Sequence, residues 1–503
     1  MKTYYKNLVN RILHKVQYSL IPYKNEYFLT ASKRKVLIFI VTFINLLLAI
    51  LQKVVFWKYF CKNTELFSAY RRKKIVLAVA SLLISCSTDT NTAYIRAEKT
   101  NTKQAYADFI KNNPQAPQVL KAKIQIEKID GVLPPPSPYK WSTENNMDIV
   151  KLENGRFQDK KGGLKQIIEF YNSKVKKDSF VGADNIKIAY HFFPAEGSDK
   201  ALIIAHGTGE NPLRYAEVVY DLINNKLPYH IFLISHRGMG FSQRMLGKNR
   251  DWNPNWDVFD SKNNEIKDYK KIYVNEFDDY IKDFTVFVNL IREKHKLTKI
   301  SALGHSLGGG IITRYVEKNP DSLDKIILSA PMHSIIGLAG ADTSDYLSRA
   351  LISIGDTFSH KEYAAGGGGE NFSHFETKHD VNNSLNYGTS SYQRFFLKKL
   401  VLQEFPETSL GGMTWGFTDS IYEGVQDIRK DADRIKTKTF ILQAEYDDYV
   451  HPIGHKIVCD KINKETKGLC NLQIFKDAKH ELLLERDLIR NQAMTAIFDY
   501  LTK

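Results

Sequence analysis

From about residue 175 the chain alternates short apolar, β-prone runs with amphipathic helical stretches. The runs are Ser179–Val181, Ile186–Phe193, Ala201–Ala205, His230–Ser235, Lys299–Gly304, Lys325–Ala330, Thr437–Glu445 and Leu472–Phe475. Between the fourth and fifth, Phe277, Tyr280, Ile281, Phe284, Val288 and Ile291 recur at helical spacing, and a closing helix fits Asp487 to Leu501. Strands alternating with helices predict an α/β fold: a mostly parallel sheet of eight strands with helices on both faces. Residues 333–437 break the rhythm. They part the sixth and seventh strands by roughly a hundred residues, far more than one crossover needs, and read as an inserted cap.

Upstream the pattern differs. Val36 to Leu51 is apolar and extends through Lys53 to Trp57, long enough to span a bilayer if Lys53 reaches the interface. A second apolar stretch, Ile75 to Ile84, follows Arg71-Arg72-Lys73-Lys74 and ends Leu83-Ile84-Ser85-Cys86. It is too short to span and has the order of a secretory signal. Its ending resembles a bacterial lipobox, which would make Cys86 a lipidation site. The two readings compete: either translation starts near residue 66–70, or the first stretch is a true anchor. The expected organisation is a membrane-targeting region at 1–85 (spanning helix 36–57, lipoprotein-type signal 71–86), then a polar tether and extension at 86–174. The α/β core follows at 175–332 and 438–503, split by the cap at 333–437.

Charge changes the picture of partners. The net charge is +15, but residues 1–74 hold 15 Lys/Arg against Glu26 and Glu65, a net of +13. The remainder therefore carries 15 − 13 = +2. Basicity flanking apolar segments orients a chain in a membrane. The expected partner is thus a membrane surface, with no nucleic acid, and the expected location is the bacterial cell envelope. Of four cysteines, Cys459 and Cys470 lie eleven apart. They would form a disulfide in an exported domain, or stay two buried thiols; the sequence leaves both open.

Candidate chemistry centres on Gly304-His305-Ser306-Leu307-Gly308, a G-x-S-x-G pattern between a strand and a helix. A serine on so sharp a turn projects its Oγ from the sheet, and flanking glycines remove side chains that would clash. Such a serine needs a base and an orienting acid, in the chain order Ser, Asp/Glu, His. Asp447 follows the seventh run, with Asp448 its rival, and His480 follows the eighth. Both loops leave carboxyl ends of strands, where sites form in open α/β sheets. Oxyanion donors should be the backbone N–H groups of Leu307 and of Thr208, in the loop His206-Gly207-Thr208-Gly209-Glu210. His206 precedes the serine and is assigned to shaping that loop. His451 and His455 have i, i+4 spacing without an H-E-x-x-H, and Gly366–Gly369 lacks a preceding strand. No metal or other cofactor is expected.

The segment His206-Gly-Thr-Gly-Glu-Asn-Pro-Leu-Arg-Tyr215 resembles the HGxGEhxxRY stretch of monoacylglycerol-lipase-like α/β-hydrolases. Ser235-His-Arg-Gly-Met-Gly-Phe-Ser242, Gly411-Gly-Met-Thr-Trp-Gly416, Gln443-Ala-Glu445 and Ala478-Lys-His-Glu481 are similar to the bacterial lysophospholipase branch of that family. The resemblance spans about residues 175–503. Ser235 departs from it, standing where Asp is usual. It implies the α/β-hydrolase fold, Ser306 as nucleophile, Asp447 as acid and His480 as base. The implied activity is hydrolysis of carboxylic esters of lysophospholipids or monoacylglycerols. A short-chain carboxylesterase, another acyl-transfer enzyme or a catalytically silent lipid-binding protein of the same fold are the alternatives.

Overall fold

The computed structural model describes residues 88–503, apart from 115, 117, 153–155, 248–249, 252, 256–262, 337–345 and 365–387. The apolar stretches before residue 88, Cys86 and Gly366–Gly369 therefore lie outside the described residues. Among the described residues no helix is long and apolar enough to cross a membrane.

The chain divides into two compact units, Met1–Ile129 and Asp130–Lys503. In the first, helices α1 (Thr88–Thr100), α2 (Lys103–Asn112) and α3 (Val119–Asp130) gather around Tyr94, Tyr106, Phe109, Val119 and Ala122. Within the polar stretch read as a surface tether, Thr88–Thr100 is helical. Tyr94 and Ala97 enter that cluster while Ile95 stays exposed, too sparse a stripe to read from the sequence.

The second unit holds a two-stranded antiparallel sheet, β1 (Ile149–Lys151) and β2 (Phe157–Asp159), and an eight-stranded sheet built of β3 (Lys176–Val181), β4 (Lys187–Phe193), β5 (Lys200–Ala205), β6 (His230–Ile234), β7 (Lys299–His305), β8 (Lys325–Ser329), β9 (Lys438–Tyr446) and β10 (Cys470–Lys479). The order across it is β10-β9-β8-β7-β5-β6-β4-β3. β3 and β4 pair antiparallel, as do β4 and β6; the remaining pairings are parallel. Each strand expected from the sequence is present. The central strands are apolar on both faces because helices cover both. Ala201, Ile203 and Ala205 of β5 enter one core cluster, and Leu202 and Ile204 enter the other, as the strand's period of two requires.

Helices α6 (Asn264–Lys270) and α9 (Tyr346–Ser359) lie in the intervals before β7 and before β9. The first core is covered by α7 (Asp278–His295), α8 (Leu307–Lys318) and α11 (Trp415–Asp431), through Phe284, Ile311 and Val425 among others. The opposite core is covered by α4 (Gly163–Lys174), α5 (Ala216–Asn224), α10 (Tyr392–Glu404) and α13 (Asp487–Thr502), through Tyr171, Val218, Phe396 and Ile497. The long interval between β8 and β9 thus sends one helix to each face of the sheet. Phe395, Phe396 and Phe417, from this interval, are buried in the two cores. Cys459, on α12 (Pro452–Glu465), and Cys470, at the start of β10, form a disulfide.

A belt ahead of β3 is also part of this unit. Ser142 N–H donates to Asp221 at 2.9 Å, Trp141 Nε1–H to Thr495 at 2.9 Å, and Ile149 N–H to Gln393 at 2.7 Å. Beneath it lies a buried ion network. Arg394 binds Glu217 and Asp487 at 2.8 Å each, and Arg490 binds Asp221 at 2.8 Å. Burial alone would neutralise the Glu217 carboxyl; Arg394 and Arg490 outweigh it and hold the group at about 2.

Candidate active site

Ser306 stands between the end of β7 and the start of α8, with φ 50° and ψ −114°. A non-glycine residue held at positive φ is strained, and the strain is what turns the chain sharply enough to expose Oγ. The turn is pinned from three sides. Ser306 N–H donates to Ser329 O at 3.1 Å, and its carbonyl accepts from Gly310 N–H at 3.0 Å and Met332 N–H at 2.9 Å. Gly308 cannot carry a side chain here: a Cβ would lie 2.1 Å from Ala205 O and 2.7 Å from His206 O. The first turn of α8 is thus pressed against the loop that follows β5.

His480 and Asp447 come from the loops after β10 and β9. His480 Nδ1–H donates to Asp447 Oδ2 at 2.7 Å. The other oxygen, Oδ1, accepts from Tyr449 and Val450 N–H at 2.9 Å each. Among the described bonds it is Asp447, and not Asp448, that meets the imidazole. Burial would lower the His480 pKa, but the facing Asp447 carboxylate outweighs it and raises the group above the usual 6.5. Burial would likewise raise Asp447; the imidazole and the two backbone donors reverse that and lower it. With Nδ1 committed to Asp447, Nε2 is left to exchange a proton. The ring lies 4.7 Å from that of His305, the residue preceding Ser306.

The loop after β5 completes the arrangement. Gly207 N–H donates to Glu210 Oε2 at 2.8 Å, Gly209 N–H to Met239 Sδ at 3.4 Å, and Glu210 N–H to Gly207 O at 3.3 Å. Thr208 N–H has no acceptor among the described residues. Leu307 N–H opens a helix, where backbone donors have no intrahelical acceptor. These are the two groups expected to face an oxyanion. His206 braces the loop: it contacts Gly207 O through Nδ1 at 2.8 Å and accepts from His236 N–H through Nε2 at 3.2 Å. Burial lowers its pKa, so it stays neutral, as suits a structural role.

One group of residues was present in the sequence without a role. Glu210 accepts from Gly207 N–H, from Tyr215 Oη–H at 2.8 Å and from Arg214 Nε–H at 3.0 Å. Arg214 also pairs with Glu481, the residue after His480. This bridge ties the oxyanion loop to the histidine loop. Its Glu210–Arg214 half has i, i+4 spacing and could have been suspected. The Glu481 half joins residues 267 apart and has no local signal.

Among the described residues no group of three or more His, Cys, Asp or Glu is placed to hold a metal ion. His455 faces Gln443 at 3.2 Å and Pro331 O at 2.9 Å, and burial lowers it to about 4.

A serine on a strand–helix elbow, with a His–Asp pair from the two last strand ends, defines a serine hydrolase scaffold of the α/β-hydrolase class. The chain belongs to the serine aminopeptidase S33 family (Hydrolase_4), whose profile matches residues 196–487. It is similar to lysophospholipase L2 of Escherichia coli K12, with 28% identity over 330 residues, 64% of this chain and 86% of that protein. It also matches a monoacylglycerol lipase of Mycolicibacterium smegmatis, with 22% identity over 161 residues, 32% of this chain and 48% of that protein. Among solved structures, a carboxyl esterase of Bacillus coagulans aligns at TM-score 0.46 and 15% identity, covering 65% of this chain and 98% of that one.

Proposed function

We propose that this protein is a serine ester hydrolase acting on single-chain lipids, lysophospholipids or monoacylglycerols. The observation that carries the reading is the His480–Asp447 pair at 2.7 Å beside the strained Ser306 elbow. The family description names a peptidase and the relatives are named for lipid esters, so membership alone leaves the leaving group open. The 86% coverage of a lysophospholipase L2 favours the ester.

In this reading His480 Nε2 takes the Ser306 hydroxyl proton as Oγ attacks the acyl carbonyl carbon. Asp447 holds the ring in the tautomer with Nδ1 protonated and stabilises the imidazolium. The oxyanion accepts from Leu307 and Thr208 N–H. Collapse breaks the ester C–O bond, and His480 returns the proton to the departing glycerol oxygen. Water, deprotonated by the same Nε2, then cleaves the acyl-enzyme and releases the fatty acid. Fluorophosphonate labelling, followed by a hydrolysis panel of lysophospholipids, monoacylglycerols and short p-nitrophenyl esters, tests it. A labelled protein that hydrolyses only the short esters would overturn the lipid assignment.

We further propose that the catalytic unit works outside the cytoplasm, tethered through the segment before residue 90. The Cys459–Cys470 disulfide supports an oxidising compartment. A single acyl chain binds membranes only marginally, so a lipidated Cys86 would need several chains, or the 36–57 stretch would have to span. With Cys86 lipidated, Cys86→Ser blocks processing and the mature chain begins at residue 86. With the helix as anchor, Cys86→Ser leaves the product at full mass. Full-length protein in the soluble cytoplasmic fraction would contradict both.

A further inference from the structure

His480 is followed at once by Glu481, and Glu481 is held on two sides. Its N–H donates to Gly388 O at 2.6 Å, and its carboxylate accepts from Arg214 Nη2–H. Gly388 comes this close only because it has no side chain: a Cβ would lie 2.8 Å from Glu481 Cγ. Arg214 also reaches the other way, donating from Nε–H to Glu210 Oε1 at 3.0 Å. Glu210 Oε2 accepts from Gly207 N–H and Tyr215 Oη–H at 2.8 Å each. One guanidinium thus joins the loop that carries the base to the loop that carries Thr208.

The three charged groups are nearly sealed from water. The side chains of Arg214, Glu210 and Glu481 are 7%, 10% and 18% exposed, so salt screens their field little. They stand beside an imidazole that must become a cation when Ser306 gives up its proton. Glu481 and Glu210 both favour the charged ring, in addition to Asp447. The other titratable groups facing His480 are Asp448 and Tyr449 after β9, His305 ahead of the serine, and His455 on α12. Lys479 precedes it in the chain, and Lys398 of α10 lies close to the bridge. None of these groups changes in the variants below, so the sign of each expected shift depends on Arg214 and Glu481 alone.

Resting on the ester-hydrolase reading above, we propose that Arg214 and Glu481 are positioning residues for His480: the bridge fixes the histidine loop against the oxyanion loop, Glu481 favours the imidazolium formed as Ser306 attacks, and Arg214 limits how far it does so. Two changes that break the same bridge then act in opposite directions on the base. Glu481→Gln removes a negative charge, the imidazolium is less favoured, and the ring loses its proton at lower pH. Arg214→Met removes a positive charge, and the ring holds its proton to higher pH. Glu210 keeps its donors Gly207 and Tyr215 in both variants.

The test is the pH dependence of kcat/KM on a short p-nitrophenyl ester, using the full chain. The acid limb should move down by about half a pH unit or more in Glu481→Gln and up by a similar amount in Arg214→Met. It should return to its parental place in Arg214→Met/Glu481→Gln, where the local charge is restored. Arg214→Lys keeps the charge but loses the fork that reaches both carboxylates, so its limb should stay while kcat falls about tenfold. Limbs that move in the same direction in the two single variants, or do not move, overturn the proposal, because a merely structural bridge is broken equally by either change. An unchanged kcat in Arg214→Lys overturns the positional half. If Arg214→Met fails to fold, Glu481→Gln still decides the sign. The same variants in a Ser306→Ala background, followed by NMR titration of the His480 ring protons, read the charge without turnover. Opposite shifts there support the proposal even if no ester is hydrolysed, an outcome that sinks the ester reading alone. Ester hydrolysis with unmoved limbs and an unmoved ring titration sinks the proposal alone.

Discussion

His480 and His206 are both buried beside the same serine turn, yet they titrate in opposite directions. His206 bonds to backbone groups, which do little to repay the cost of burying a charge, and its pKa falls. His480 faces the Asp447 carboxylate, and its pKa rises. His236, His305, His333 and His455 follow His206 and are lowered by burial. The contrast shows what separates a candidate base from a structural histidine: not burial or position near the serine, but a paired charge.

The largest expected effects fall on the pair and its serine. Ser306→Ala and His480→Ala should each lower kcat by roughly a thousandfold or more, with thermal unfolding little changed, because serine and base act as one unit. Retained hydrolysis in folded Ser306→Ala would break the assignment. Asp447→Asn removes the charge that distinguishes His480 from its neighbours. It should cost about a hundredfold or more in kcat, whereas Asp448→Asn should stay within about threefold of the parent. The reverse result would move the acid by one residue.

The bridge between the two loops comes next. Arg214→Met leaves the carboxylates of Glu210 and Glu481 without their shared partner, at a cost of about 3 kcal/mol in unfolding free energy. Denaturant titration measures this; a loss below about 1 kcal/mol would show that the bridge does not hold the loops.

The smallest effect in activity, and the sharpest for the comparison, is the pH profile. A base works deprotonated, so kcat/KM must fall as pH drops through the His480 pKa, which is raised. The acid limb should therefore lie above 6.5. A limb well below that value would point to one of the lowered histidines instead. His455→Ala should in turn lower stability by about 2 kcal/mol through lost buried bonds and leave kcat nearly intact.

The strands and the elbow were legible in the chain because buried runs such as Ala201–Ala205 and Lys299–Gly304 are bounded by turn residues. The order Ser306, Asp447, His480 could be read because strand ends fix where the loops emerge. The belt at residues 137–174 could not, since its bonds, such as Ser142 to Asp221, join polar residues far apart in the chain. The same holds for the Arg214–Glu481 contact. Nor did the interval before β9 announce that α10 and α11 pack on opposite faces, because each carries an apolar stripe that fits either core.

The most direct measurement is peptide mapping of a fluorophosphonate adduct on the intact chain and on His480→Ala. The account predicts one adduct, on the peptide containing Ser306, formed at least a hundredfold more slowly once His480 is gone. An adduct on another serine, or equally fast labelling of Ser306 without His480, would contradict it.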